Sequence, residues 1–192
     1  DPVAAASILD AKGFRDRNGD GFREDAHGKP LRFSLKVTTT EPLHQRAAQV
    51  VARQLKAVGL QVHIDLVDPE RSRALYTTRQ FDLMIGDVTP HTLADPDQFM
   101  QSVMGGYLWR DGRSYPELEA LIKDWRAATT AEARIQAGYA LQELHSKAPA
   151  TVMLYYPRPH FAYRPKAFDR WRFVTGMGIF HKWSLVEFYG GV

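Results

Sequence analysis

Two alternating segments flanking one helix-periodic segment constrain this chain more than any other feature. LRFSLKV, residues 31–37, sets Leu31, Phe33, Leu35 and Val37 on one side and Arg32, Ser34 and Lys36 on the other, the period-two pattern of a half-buried strand. LQVHIDLV, residues 60–67, repeats it with Leu60, Val62, Ile64 and Leu66. Between them Glu41 and Pro42 open a helix in which Leu43, Ala47, Val50, Val51, Leu55 and Val58 recur at three-to-four spacing until Gly59 ends it. Strand, helix and strand in such close order form a βαβ unit, whose crossover is right-handed in nearly all cases. Asp68 and Pro69 then cap a further helix through Leu75 and Tyr76, which leads to Phe81, Leu83, Met84 and Ile85, a short buried strand. The order β-α-β-α-β makes the fold class α/β.

The flanks extend this frame. Asp1 and Pro2 start an N-terminal helix that Gly13 closes, and a turn-rich connection, GFRDRNGDGFRED, precedes the first strand. In the second half Ser114 with Glu117 and Thr129 with Glu132 match the S/T-x-x-E capping box. Leu118, Leu121, Ile122 and Trp125 stripe the first of these helices, and Ile135, Tyr139, Leu141 and Leu144 are expected to face inward on the second. TVMLYY, residues 151–156, reads as an apolar strand ended by Pro157 and Pro159. From Pro165 the tail is aromatic, with Trp171, Phe173, Phe180, Trp183, Phe188 and Tyr189, and shows no sustained period.

The strand ending at Ile85 runs into a polar, proline-punctuated segment, where Gly86 and Asp87 turn the backbone out of the sheet. Asp87, Thr89, His91, Thr92, Asp95 and Asp97 gather donors and acceptors where an open α/β sheet places its ligand crevice. The same composition also describes a solvated loop with Asp95 or Asp97 as a helix cap.

ILDAKGFRDRNGDGFRE with GKPLRFSLKV, QRAAQVVARQLKAVGLQVHIDLVD, FDLMIGDV with DPDQF, SYPELEALIKDWRAATTAEAR and LHSKAPATVMLYY follow one another over nearly the whole chain. In that order and spacing the chain resembles the family 5 extracellular solute-binding proteins of ABC transporters, the oligopeptide, dipeptide and nickel binders. The resemblance implies a type II periplasmic-binding-protein-like lobe that closes with a second lobe over a small solute, peptide-like or other, and delivers it to a membrane permease. It implies no catalysis and no cofactor. It further implies that these residues are the C-terminal portion of a longer protein, periplasmic or extracellular and open to lipoprotein anchoring, whose signal region lies elsewhere. On that comparison residues 1–164 form part of one lobe, and residues 165–192 return to the other. Phe173, Val174, Trp183, Leu185 and Phe188 would find partners there, or pack on this chain's own sheet or a second copy. The loop facing the cleft would offer Asp87, Val88, Thr89, His91 and Thr92 to the ligand, with Tyr107, Trp109 and Arg113 lining the same cleft. Peptide-binding relatives often carry an acidic residue where Thr92 stands. A neutral threonine lacks the charge-assisted hydrogen bond that a desolvated α-ammonium requires.

Other classes are weaker. The chain has no Cys, which removes disulfides and thiolate metal sites, and no apolar run approaches the ~20 residues of a membrane span. The net charge of +3 suits an anionic partner. The basic aromatic stretch RPHFAYRPKAFDRWRF nevertheless scatters its charges among prolines and follows no nucleic-acid module, so no nucleic acid is expected. An α/β hydrolase-like domain using Asp87 and His91 as acid and base is the enzymatic alternative, although no G-x-S-x-G elbow or H-E-x-x-H pair is present. A purely structural interaction module is a third class. His44 and His63 fall on the polar faces of their helix and strand. Asp16, Asn18 and Asp20 occupy the first, third and fifth positions of an EF-hand-like loop, with Gly21 at the turn, Phe22 at the seventh position and Glu24 at the ninth. The twelfth is His27, so the closing bidentate carboxylate is missing, and Asx turns are expected to hold the loop without a metal.

Overall fold

The computed structural model describes residues 1–87, 116–147, 149, 151–155, 160–174, 178–181 and 184. They belong to two units, Asp1–Asp87 and Val88–Val192.

The first unit has the expected order of elements, although Leu66, expected on the buried face, is 52% exposed and the neighbouring Val67 is buried. Helix α1 spans Pro2–Ala11, strand β1 Arg32–Thr38, helix α2 Pro42–Ala57, strand β2 Gln61–Val67, helix α3 Pro69–Thr78 and strand β3 Leu83–Met84. The strands form a parallel sheet in the order β2-β1-β3. Leu35 stands opposite Ile64 on one side and Leu83 on the other. Leu35, Val37 and Ala48 are buried, and Val51, Val62, Ile64, Leu83 and Ile85 pack around them. Although β3 is only two residues long, its edge is extended on both sides. The Asp82 carboxylate accepts from the Ser34 N–H at 2.8 Å, and the Ile85 N–H donates to the Lys36 carbonyl at 3.1 Å.

Helix α2 presents to the sheet a stripe one residue round from the expected one. Leu43 and Val50 are exposed, whereas His44, Ala48 and Val58 are buried and Val51 and Leu55 half-buried. The 44-48-51-55-58 stripe prevails because Ala48 lies at its centre, where a small side chain lets the helix backbone approach the strands closely. His44 is therefore not on the polar face that its residue type suggests. His63 is exposed, as expected.

Capping follows chemistry. The Asp1 carboxylate accepts from the Val3 and Ala4 N–H groups at 2.9 and 3.1 Å, and Asp68 accepts from the Arg71 N–H at 2.8 Å. Helix α3 has no glycine at its end, and Arg79 takes the left-handed conformation there, φ 60°. Arg23 ties the connection before β1 to two helices. Its Nε donates to the Val58 carbonyl at 2.7 Å, and its Nη1 donates to the Asp10 carboxylate at 2.5 Å and to the Phe14 carbonyl at 2.6 Å. Gly59 makes room for this side chain, since a Cβ there would lie 2.8 Å from the Arg23 Cγ.

In the second unit helices α4, Pro116–Ala127, and α5, Ala131–Lys147, pack on each other. Leu118 and Trp125 are buried and Leu121 and Ile122 half-buried, as their spacing predicts. On α5 the prediction is only half right, because Leu141 is fully buried and Leu144 half-buried while Ile135 and Tyr139 are 51% and 61% exposed. The buried face instead runs through Gly138. A Cβ on that residue would meet the Trp125 ring at 3.0 Å, so the indole occupies the space that a side chain would fill. The cap of α5 is Thr130, whose hydroxyl accepts from the Ala133 N–H at 3.2 Å, one residue after the expected Thr129. Ser114 lies outside the described residues.

Residues 151–155 form no strand, and Val152, Met153, Leu154 and Tyr155 are exposed. A strand is defined by a neighbouring backbone edge, and none of the described residues supplies one. Further on, Trp171 gathers Tyr163, Phe168 and Phe180 around it in edge-on contacts with centroids 4.7–6.0 Å away, and Phe161 meets Phe180 edge-on at 5.4 Å. Part of the aromatic tail thus packs on itself, while Phe173 is exposed. Trp183, Leu185 and Phe188 lie outside the described residues. Among the described residues no helix is long and apolar enough to cross a membrane.

Candidate functional site

The strand order marks where an open parallel sheet would offer a ligand crevice. From β1 the chain moves one way to β2, then crosses back past β1 to β3, so the direction of winding reverses between β1 and β3. In an open parallel sheet ligands bind outside the carboxyl ends of the strands at that switch point. The residues there are Thr38 at the end of β1, Thr39 and Thr40 after it, the first turn of α2, and Gly86 and Asp87 after β3.

One hydrogen bond joins these two strand ends. His44, 7% exposed on the first turn of α2, places its Nε2 2.9 Å from the Asp87 Oδ1. Asp87 accepts in this pair, so the imidazole carries its proton on Nε2. Its Nδ1 is buried without a partner among the described residues, while the Asp87 side chain is 65% exposed. The pair is asymmetric. A buried donor holds an exposed acceptor at the point where the chain leaves the sheet. Nearby, the Gln45 side-chain amide donates to the Thr39 carbonyl at 2.9 Å, which fixes the turn between β1 and α2.

Of the residues that the sequence nominates for ligand contact, Asp87 lies at this point. Val88, Thr89, His91, Thr92, Tyr107, Trp109 and Arg113 lie outside the described residues. His44 was missed. Its 4-3-4-3 spacing with Ala48, Val51, Leu55 and Val58 was the available signal, and it was obscured because histidine reads as polar.

The connection before β1 is held by its own short side chains, as expected. Asp16 accepts from the Gly19 and Gly21 N–H groups at 2.7 and 2.8 Å, Asn18 from the Asp20 N–H at 2.8 Å, and Asp20 from the Phe22 N–H at 2.8 Å. Glu24 sits behind them, 3% exposed and bridged in antiparallel fashion to Arg15 and Pro30.

Comparison with known proteins bears on the fold and the family. The oligopeptide-binding protein AppA of Bacillus subtilis is 27% identical over 194 residues, an alignment that covers 95% of this chain and 34% of AppA. This chain therefore spans about a third of the length of that relative. The crystal structure of a periplasmic oligopeptide-binding protein of Thermotoga maritima with bound mannohexaose superposes with a TM-score of 0.67 at 25% identity, covering 76% of this chain and 29% of the other. NikA of Brucella suis, in complex with Fe(III)-EDTA, superposes with a TM-score of 0.63 at 23% identity, covering 78% and 32%, a likeness of fold alone. The Thermotoga protein is named as part of an oligopeptide ABC transporter and AppA as an oligopeptide-binding protein, and nothing in these likenesses supports the hydrolase alternative. The model of the bacterial extracellular solute-binding proteins, family 5 Middle, matches residues 1–109, more than half of the chain and all three strands of the sheet. With its α/β lobe and its strand order, the chain belongs to the family 5 bacterial extracellular solute-binding proteins.

Proposed function

We propose that this chain supplies part of the solute-binding cleft of an ABC import system. The observation that carries the reading is the His44–Asp87 bond across the carboxyl ends of β1 and β3, at the winding reversal of a family 5 sheet. In this reading Asp87 anchors the loop that meets the ligand, and Val88, Thr89, His91 and Thr92 follow it into the cleft, with Tyr107, Trp109 and Arg113 beside them. The mechanism is non-covalent and needs no cofactor: two lobes hinge shut over a solute, and a membrane permease recognises the closed form. Residues 1–164 contribute to one lobe, residues from about 165 return to the other, and the whole protein works outside the cytoplasmic membrane, with a lipid anchor compatible with that location. The solute is peptide-like or another small polar molecule. With Thr92 where peptide binders often place an acid, a free α-ammonium group is the disfavoured feature.

Native mass spectrometry of the full-length protein as purified tests this directly by identifying a retained solute. A panel of oligopeptides, oligosaccharides and metal chelates, the ligand types seen on relatives, is the complement. Asp87→Ala and Thr92→Ala are each expected to weaken binding about tenfold or more. Asp87→Ala is also expected to lower stability by about 1–3 kcal/mol, because the buried His44 Nε2 loses its acceptor. Unchanged affinity in both variants refutes the site, and turnover of a solute refutes the non-enzymatic reading.

A further inference from the structure

Glu24 is the least expected side chain in the first unit. It is 3% exposed, and two antiparallel bridges, to Arg15 and to Pro30, hold its backbone in place. Its Oε2 accepts from the Arg17 N–H at 2.8 Å, but its Oε1 is buried without a donor among the described residues. Basic residues are close in sequence yet committed elsewhere. The Arg17 guanidinium donates to the Asp25 and Gly13 carbonyls, and that of Arg23 to Asp10, Phe14 and Val58. A buried carboxylate oxygen with no donor is unfavourable unless a cation meets it.

The surroundings supply the rest of a cation site. Asp16, Asp20 and Glu24 each bring a carboxylate oxygen within 4.8 Å of the others. Asn18 stands between the two aspartates, with its amide nitrogen 3.3 Å from the Asp20 Oδ2 and its Oδ1 toward the Asp20 N–H at 2.8 Å. We propose that Asp16, Asn18, Asp20 and Glu24 form a calcium site in which Glu24, from the ninth position of the loop, replaces the carboxylate that His27 fails to provide at the twelfth. Calcium takes six to eight oxygens at about 2.3–2.6 Å, so its ligand oxygens lie up to about 4.6–5.2 Å apart, and three carboxylate oxygens within 4.8 Å of one another can share one such ion. Magnesium demands a tighter octahedron, at about 2.0–2.1 Å, and keeps most of its water. The four side chains and the Phe22 carbonyl at the seventh position leave room for water ligands. Such a site belongs with the weak calcium modules of extracellular proteins, at roughly 0.1–1 mM. Its role is to brace the connection from α1 to β1. It is independent of the solute-binding reading.

The test uses the full-length protein stripped with chelator and titrated calorimetrically with calcium chloride, then melted in about 10 mM calcium or magnesium at matched ionic strength, a concentration well above the expected affinity. One calcium per chain is expected, with a melting temperature several degrees higher than in magnesium. Glu24→Gln and Asp20→Asn are each expected to weaken calcium binding at least tenfold. Asp20→Asn retains the side-chain oxygen that accepts from Phe22, and its exposed position keeps the fold intact, so it decides the matter should Glu24→Gln fail to fold. Absence of saturable calcium binding to the wild-type protein overturns the proposal, as does binding to Asp20→Asn that equals the wild type.

Discussion

Replacing His44 with leucine separates the two roles that this residue combines, a core position and a tether for Asp87. Three contributions follow from the structure. The hydrogen bond to Asp87 is lost, but the carboxylate is 65% exposed and rehydrates, so the cost is that of an ordinary bond, about 0.5–1.5 kcal/mol. The buried, unpartnered Nδ1 disappears, which returns a desolvation penalty of about 1–3 kcal/mol. Leucine refills most of the imidazole volume on the stripe that carries Ala48 and Val51, so no large cavity opens. The changes offset to within about 1 kcal/mol, and His44→Leu is expected to unfold in urea at nearly the wild-type midpoint. Solute affinity behaves differently. Asp87 loses its only described partner, and ordering one freed backbone residue on binding costs about 1–2 kcal/mol, close to tenfold in Kd. Urea titration and isothermal calorimetry on the full-length protein measure the two quantities. A loss of stability above about 2 kcal/mol with unchanged affinity would refute the tether and leave His44 as a packing residue only.

Two further outcomes test the frame that positions the site. Arg23→Met keeps an unbranched apolar stem but removes the donors to Val58, Phe14 and Asp10, so about 3 kcal/mol or more of stability is expected to be lost, and Arg23→Lys recovers only part because one ammonium cannot reproduce the fork. A urea midpoint for Arg23→Met close to wild type would show that these bonds exchange freely with water. The Lys36 ammonium, hydrogen-bonded to Asp65 at 2.5 Å across β1 and β2, holds the Asp65 carboxyl below its ordinary value. A carboxyl depressed in the folded state stabilises the protein above its unfolded pKa, and that contribution fades as pH falls through the folded one. Asp65→Asn is therefore expected to be less stable than wild type at neutral pH, with the gap closing in acid below about pH 4. Because Asp65 is partly exposed, the gap is small, and a gap that widens in acid would contradict the assignment.

Period, caps and order of elements were legible from the residues alone. Leu35 and Val37 face the core because a strand puts every second side chain on one side, and β1, β2 and the helix between them follow one another as a βαβ unit, a crossover that is right-handed in nearly all cases. Asp1 and Asp68 cap their helices because a short acidic side chain meets the free N–H groups of the first turn, a local matter needing no tertiary partner. Family membership was legible for the same reason, since it rests on segments in order.

Tertiary structure decided everything that depends on which neighbour a face meets. Two apolar stripes overlap on α2, and only the approach of the sheet to Ala48 selects the one that buries His44 and brings it to Asp87. On α5 the face is chosen by Trp125 seeking the space over Gly138, a residue with no side chain to announce itself as core, and Ile135 and Tyr139 are left outside. TVMLYY carries strong strand propensity, yet its described residues stay unpaired because propensity does not supply an edge. Glu24 reads in sequence as one more charge in a polar loop. Its burial behind Asp16 and Asp20 follows from the backbone bridges to Arg15, nine residues before it, and to Pro30, six residues after it, contacts that no local pattern of residue types encodes.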